Sequence, residues 1–263
     1  MAIIGQQKLV AYIDNCTLNN LPKAQLFSGP RGCGKHFLTR YLSNKLDIPL
    51  IEIDSTVTSE ELQEYMFSTI TTLYMIDLDS FSERSQHQFL KFIEEPSNTV
   101  YIVLLTSSIN RVLPTVINRC VVHSFEPYTK DQLESILNKK INEQAFEVFK
   151  TPGKLLNLTD SDFSSLVAMA ENIVNNIAAA TYGNTLVIST RINYKDLYTK
   201  LDFDLFFDVV EHVAFMDYLT NGTPQSFIIF KTTNTFKQHA MQQTLIKETL
   251  MLNYLTALWE ATR

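Results

Sequence analysis

The stretch Gly29-Pro30-Arg31-Gly32-Cys33-Gly34-Lys35 carries three glycines at a spacing that lets a loop turn its backbone N–H groups toward an anion. Lys35 is placed to reach the outer phosphates of a nucleotide. The loop follows an apolar run, AQLFS at 24–28, and precedes a segment at 35–46 with Phe37, Leu38, Tyr41, Leu42 and Leu46 on one helical face. In that strand–loop–helix setting the pattern is far more specific for phosphate than the same residues would be alone. One position breaks it. His36 stands where a serine or threonine hydroxyl would ligate magnesium, and an imidazole is a poor ligand for so hard a cation. The expectation is a loop with room for ATP or ADP and a disfavoured Mg²⁺ site.

A second candidate lies at the end of the apolar run TLYMID, 72–77, where Asp77 occupies the C-terminal end of a predicted strand. Open α/β sheets bind ligands there, and the Walker B aspartate of phosphate-transferring folds has this place. In hydrolysing members of that class the next residue is a glutamate that orients water. Here it is Leu78, with Asp79 one step later, read as a turn or capping residue rather than a replacement base. Loss of a positioned group of this kind costs on the order of 10²–10⁴ in rate. His36 and Leu78 together predict a chain that hydrolyses little or no ATP.

These residues need a scaffold. Strands are predicted at 24–28, 48–53, 72–77, 99–105 and 120–125, separated by helices at 35–46, 59–68, 82–95 and 112–118. Thr58 and Glu61 have capping-box spacing, and so do Thr129 and Gln132. Alternation of this kind implies an α/β fold with a parallel sheet covered by helices on both faces. From 128 onward only helices are predicted, at about 129–139, 142–149, 153–158, 161–180, 194–219 and 236–261. The expected division is an α/β domain at 1–127, a small helical lid at 128–182 and a helical C-terminal domain at 183–263, with a boundary near Tyr182–Asn184.

Composition narrows the function classes. The 263 residues include 22 basic and 28 acidic ones, a net charge of −6, which excludes coating of nucleic acid by bulk charge. Three widely separated cysteines, Cys16, Cys33 and Cys120, form no CxxC pair, so neither a disulfide framework nor a zinc site is expected, and a reducing cytoplasm fits. His87, His123, His212 and His239 have no metal-ligand spacing. No run of apolar residues is long enough for a membrane span. The aromatic stretch FDLFFDVV reads as helix core or subunit interface rather than a base-stacking platform, since basic residues do not interleave it.

Read in order, IIGQQKLVAYI, LFSGPRGCGKHFLTRYL, YMIDLDSFSERSQHQFLKFIEEPSNTVYIVLLTS and LPTVINRC resemble the AAA+ clamp-loader family of the replicative DNA polymerase, the bacterial DNA polymerase III delta-prime type in particular. The resemblance covers about residues 1–160. It implies a helical collar-like C-terminal domain and a role as a stator. Arg119 of INRC would be an arginine finger, entering the ATP site of a neighbouring subunit, with Asn118 in place of the family's serine. Thr106, Ser107 or Ser108 of LLTSS would hold the sensor 1 position, and Lys154 of TPGKLL the sensor 2 position. Gly5 and Gln6 match the N-terminal segment that lies near the adenine. Implied partners are other clamp-loader subunits, a sliding clamp and primer-template DNA, in a hetero-oligomer. The four zinc-binding cysteines usual in bacterial members are absent. The alternatives are a working AAA+ ATPase, such as a helicase loader or recombination-linked motor, and a nucleotide-free AAA+ scaffold.

Overall fold

A computed structural model describes residues 3–177, 203–240 and 247–263. It contains two compact units, one of residues 1–140 with 150–156, the other of 141–149 with 157–263.

The first unit is built on a five-stranded sheet of β1 (Ala24–Ser28), β2 (Leu50–Ile53), β3 (Thr72–Asp77), β4 (Val100–Thr106) and β5 (Val121–Ser124), in the order β2-β3-β4-β1-β5. All four pairings are parallel. Every residue of β4 is buried, and so is β3 up to Ile76, whereas the edge strands β2 and β5 are largely exposed. An unbroken apolar run such as VYIVLL suits a central parallel strand, because both of its faces are covered. The helices are α1 (Gln7–Asp14), α2 (Lys35–Leu46), α3 (Ser59–Met66), α4 (Glu83–Gln86), α5 (Phe89–Glu94), α6 (Pro114–Ile117) and α7 (Lys130–Leu137). On one face Tyr74, Ile76, Ile102 and Leu104 pack with Phe81, Phe89 and Phe92, and two ring pairs meet edge to face, Tyr74–Phe92 and Phe81–Phe89.

The helix predicted at 35–46 and the strands at 24–28 and 72–77 have the expected bounds. Both capping boxes in this unit form, with the N–H of Glu61 donating to Thr58 and that of Gln132 to Thr129. The single helix expected at 82–95 is instead two short ones, α4 and α5. Its middle is drawn off by Gln86, which is buried and bonds outward on both sides of its amide: Nε2 donates to the Arg111 carbonyl and Oε1 accepts from the Leu113 N–H. That anchorage tightens the chain, and the N–H of Gln88 bonds back to Ser85 in a 3₁₀-type turn. The helix expected at 153–158 is a single turn, α9 (Pro152–Leu155).

The second unit is helical, with α8 (Glu143–Val148), α10 (Asp160–Asn176), α11 (Phe203–Asn221), α12 (Pro224–Ala240) and α13 (Lys247–Ala261). Its core gathers Phe206, Phe207, Phe236 and Tyr254, with Phe207 and Tyr254 ring centroids 4.8 Å apart. The FDLFFDVV segment is therefore core, as expected. The Tyr254 hydroxyl pairs with that of Thr233 at 2.8 Å, and both residues are fully buried. Lys237 bonds Asp208, so its charge is compensated where it is half-buried. The helix at 224–240 was not anticipated, because its apolar residues lack a clear one-faced period. The segment expected as one helix at 236–261 includes the end of α12 and all of α13, with 241–246 outside the described residues. The boundary at Tyr182–Asn184, residues 178–180 and residues 194–202 also lie outside them. Among the described residues no helix is long and apolar enough to cross a membrane.

Candidate functional site

Parallel strands bring their C-terminal ends to one edge of the sheet, and the loop after β1, Asp77 at the end of β3 and Thr106 at the end of β4 share it. Ser28 pairs with Thr106, and the Gly29 N–H continues the ladder onto the Thr106 carbonyl at 3.1 Å. Gly32 and Gly34 have φ of +76° and +99°, in the left-handed region that glycine enters without strain, so the loop has the turns its sequence predicts. Helix α2 begins directly after it at Lys35, with Gly34 as N-cap.

Within this loop, Lys35 does not extend outward. It is 6% exposed, and its Nζ donates to the carbonyls of Gly29 at 2.5 Å and Pro30 at 3.1 Å. Arg31 and Pro30 are exposed, while Cys33 lies buried beneath the loop, where burial raises its thiol pKa. His36 is exposed on the first turn of α2 and faces solvent, as does Phe37 at 55% exposure.

Asp77 and Asp79 serve local structure. Asp77 Oδ1 accepts the Asp79 N–H at 3.0 Å and so caps the 3₁₀ turn Leu78–Ser80. Leu78 is buried in the core. The Asp79 carboxylate reaches across to β4, where Oδ1 accepts the Thr106 hydroxyl at 3.1 Å and Oδ2 the Ser107 N–H at 2.9 Å. Thr106 is fully buried and its hydroxyl also meets the Ser108 backbone, whose N–H donates to it at 3.2 Å. The polar positions expected around Thr106, Ser107 and Ser108 therefore form one knot with Asp79. Nothing in the run LLTSS forecasts that partner.

Lys154 stands in α9, whose start meets the loop. The Gly153 N–H donates to the Gly32 carbonyl at 2.9 Å, and Thr151 Oγ1 donates to the Arg31 carbonyl at 3.0 Å. Tyr128, an aromatic without a motif around it, adds a third contact: its hydroxyl donates to the Cys33 carbonyl at 2.8 Å, and burial raises the phenol pKa, keeping it a donor. A Cβ on Gly5 would lie 2.4 Å from the Tyr128 ring, and Gly5 itself has φ of +79°. The neighbouring Gln6 side-chain amide pairs both ways with Glu126, Nε2 to the carbonyl at 2.7 Å and the N–H to Oε1 at 2.8 Å.

Arg119 follows α6, apart from the loop. It is partly exposed; its Nε meets the Glu94 carboxylate at 2.5 Å and its Nη1 donates to the Thr115 carbonyl at 2.7 Å. Glu94 belongs to the EEPS signature. Among the described residues no cluster of histidine, cysteine and carboxylate groups has a metal-holding arrangement.

With this geometry in hand, likenesses to known proteins can be placed on it. Residues 56–129 match the family described as DNA polymerase III, delta subunit. The DNA polymerase III subunit gamma of Buchnera aphidicola is 29% identical over 170 residues, covering 51% of this chain and 47% of that protein. The DNA polymerase III subunit delta' of Bacillus subtilis is 32% identical over 79 residues, 30% of this chain and 24% of its own. The chain thus spans about half the length, or less, of these two relatives. A Thermotoga maritima RuvB structure aligns with a TM-score of 0.51 at 14% identity, over 81% of this chain and 89% of that one, a likeness of fold. The chain is thus similar over these stretches to subunits of DNA polymerase III, and its sheet shares the fold of the RuvB structure.

Proposed function

We propose that the chain is a clamp-loader subunit of the delta-prime type, a stator in DNA replication that contributes Arg119 to the ATP site of a neighbouring subunit and hydrolyses little or no ATP itself. The reading carries with it the small lid and the collar-like helical domain that the resemblance implies, and as partners other clamp-loader subunits, a sliding clamp and primer-template DNA. The observation that carries it is the engagement of every candidate hydrolytic group. Lys35 is turned onto its own loop, Asp77 caps a turn, and both oxygens of Asp79 are bonded across to β4. Leu78 is buried where a water-orienting glutamate would stand. Arg119, by contrast, is on the surface, with a planar fork only partly used by Glu94 and Thr115.

The competing reading, a self-sufficient ATPase motor, needs Asp79 as the base, and a carboxylate holding two donors is badly placed for that task. The deciding experiment is a steady-state ATPase assay on the isolated chain and on the chain reconstituted with its native partners. The stator reading expects background turnover from the isolated chain. Robust solitary turnover that vanishes on Lys35→Ala would overturn it.

A further inference from the structure

In the helical unit, α8, α10 and α11 enclose a cleft of about 390 Å³. Its apolar lining includes Val167 and Val174 from α10 and Val209, Val213 and Met216 from α11. Carboxylates line it too, Glu147 from α8, Glu171 from α10 and Asp217 from α11. The valines are buried or half-buried while Glu147 and Glu171 are exposed, so the apolar side chains make the floor and the carboxylates the rim. Met216 is 42% exposed, which leaves apolar surface of the cleft open to solvent. An apolar centre inside a polar rim is the anatomy of a protein interface.

The charge around this cleft has one sign. Helices α8, α10 and α11 carry two, three and four carboxylates and not one lysine or arginine. Lys237 of α12 is engaged by Asp208 and lies 3.8 Å from Glu211, neither of which lines the cleft. At the rim, Glu147 has the His212 imidazole at 3.9 Å, and Glu171 has no ion pair among the described residues. Asp217 accepts from two neutral donors, the Ser226 hydroxyl and the Asn221 amide, the latter at 2.7 Å; these bonds hold its pKa down and keep it a carboxylate. A phosphate backbone would be repelled here. The complementary occupant is apolar on one face and cationic beside it.

We propose that this cleft docks an amphipathic helix of a partner protein, one that lays an apolar stripe on the valine floor and presents lysine or arginine to Glu147, Glu171 and Asp217. A helix fits because the walls are themselves helices, and a third helix packs into the groove between two at an axial separation of about 8–10 Å. The floor supplies the hold, and the carboxylates select the partner by sign and speed its encounter. The docking rests on none of the residues assigned to the stator.

The test titrates the full chain into a fluorescein-labelled synthetic peptide of about 18 residues, with leucine at alternating three- and four-residue spacing and lysine on both flanks of that stripe, and reads anisotropy. Saturable binding in the micromolar range is expected. It should weaken about tenfold or more in the double variant Glu147→Lys/Glu171→Lys, and again when salt is raised from about 0.05 to 0.5 M. Met216→Ser, which trims the floor, should raise the dissociation rate several-fold. These three positions are exposed, so the variants keep the wild-type circular dichroism. A control peptide with glutamate in place of lysine should not bind. No saturable binding, binding that the variants leave unchanged, or equal binding of the acidic peptide overturns the proposal. Sedimentation of the chain alone addresses the other occupant: a dimer that Met216→Ser dissolves would assign the cleft to a second copy and overturn it as well.

Discussion

Asp79 and Thr106 tie the ends of two adjacent strands together: the Thr106 hydroxyl donates to Asp79 Oδ1 at 3.1 Å, while Oδ2 of the same carboxylate takes the Ser107 N–H at 2.9 Å. A carboxylate with two donors inside a sheet edge is a structural brace. Asp79→Ala should therefore destabilise the chain by about 1–3 kcal/mol, because it leaves the half-buried Ser107 N–H short of an acceptor, while the Thr106 hydroxyl keeps the Ser108 carbonyl at 2.9 Å. Urea denaturation measures it, and an unchanged midpoint would remove the brace.

Arg119 is held lightly, with Glu94 and Thr115 on an exposed surface. Its loss should leave the fold intact, since exposed ion pairs contribute about 0–1 kcal/mol. In a complex reconstituted with its partners, Arg119→Ala should lower ATP turnover by about 10³–10⁵-fold, the effect known for arginine fingers. Arg119→Lys should rescue little of it, since an ammonium lacks the planar fork. Full turnover with the alanine variant would exclude the finger.

His123 on β5 lies against Tyr12, with ring centroids 4.5 Å apart, and against Phe27 at 5.5 Å; its Nε2 is buried with no partner among the described residues. Burial lowers its pKa. The unfolded chain, with an ordinary imidazole, then binds the proton more readily than the folded one. Stability attributable to this group is complete above its unfolded pKa of about 6.5 and declines as pH falls from there toward the folded value. His123→Phe should flatten the dependence of unfolding free energy on pH between about pH 7 and 5. Parallel slopes for the two proteins would refute the assignment.

In the helical unit, Thr233 and Tyr254 share a hydroxyl pair, and Thr233 also meets the Ile229 carbonyl at 2.7 Å. The two truncations are unequal. Tyr254→Phe removes one partner of a hydroxyl that retains another, and should cost about 0.5–1.5 kcal/mol. Thr233→Val strands the Tyr254 hydroxyl in a fully buried site and should cost about 1–3 kcal/mol. Denaturation midpoints that rank the other way would contradict this reading.

The α/β fold was legible because its central strands are pure apolar runs and its helices carry caps that act locally, as at Thr58 and Thr129. The loop at 29–35 was legible for the same reason, being a contiguous pattern. What escaped was long-range. No local signal says that Thr151 and Gly153 will serve carbonyls of residues 31 and 32, that Tyr128 will reach Cys33, or that Gln86 will leave its helix face for Arg111 and Leu113. His36 is exposed and Leu78 buried, whereas Asp79 has a purpose that its neighbours in sequence did not disclose.

The strand order carries a consequence for the newborn chain. β1 neighbours only β4 and β5, with Ala24 opposite Ile102 and Gln25 opposite Val121. As the ribosome proceeds from the N-terminus, the apolar stretch AQLFS has no ladder to join until the far end of β4 has emerged, although β2 and β3 can already pair with each other. Non-local parallel pairing is slow and leaves unpaired edges open to aggregation in the meantime. Nascent chains ending between residues 80 and 100 should for that reason be the ones most in need of a chaperone.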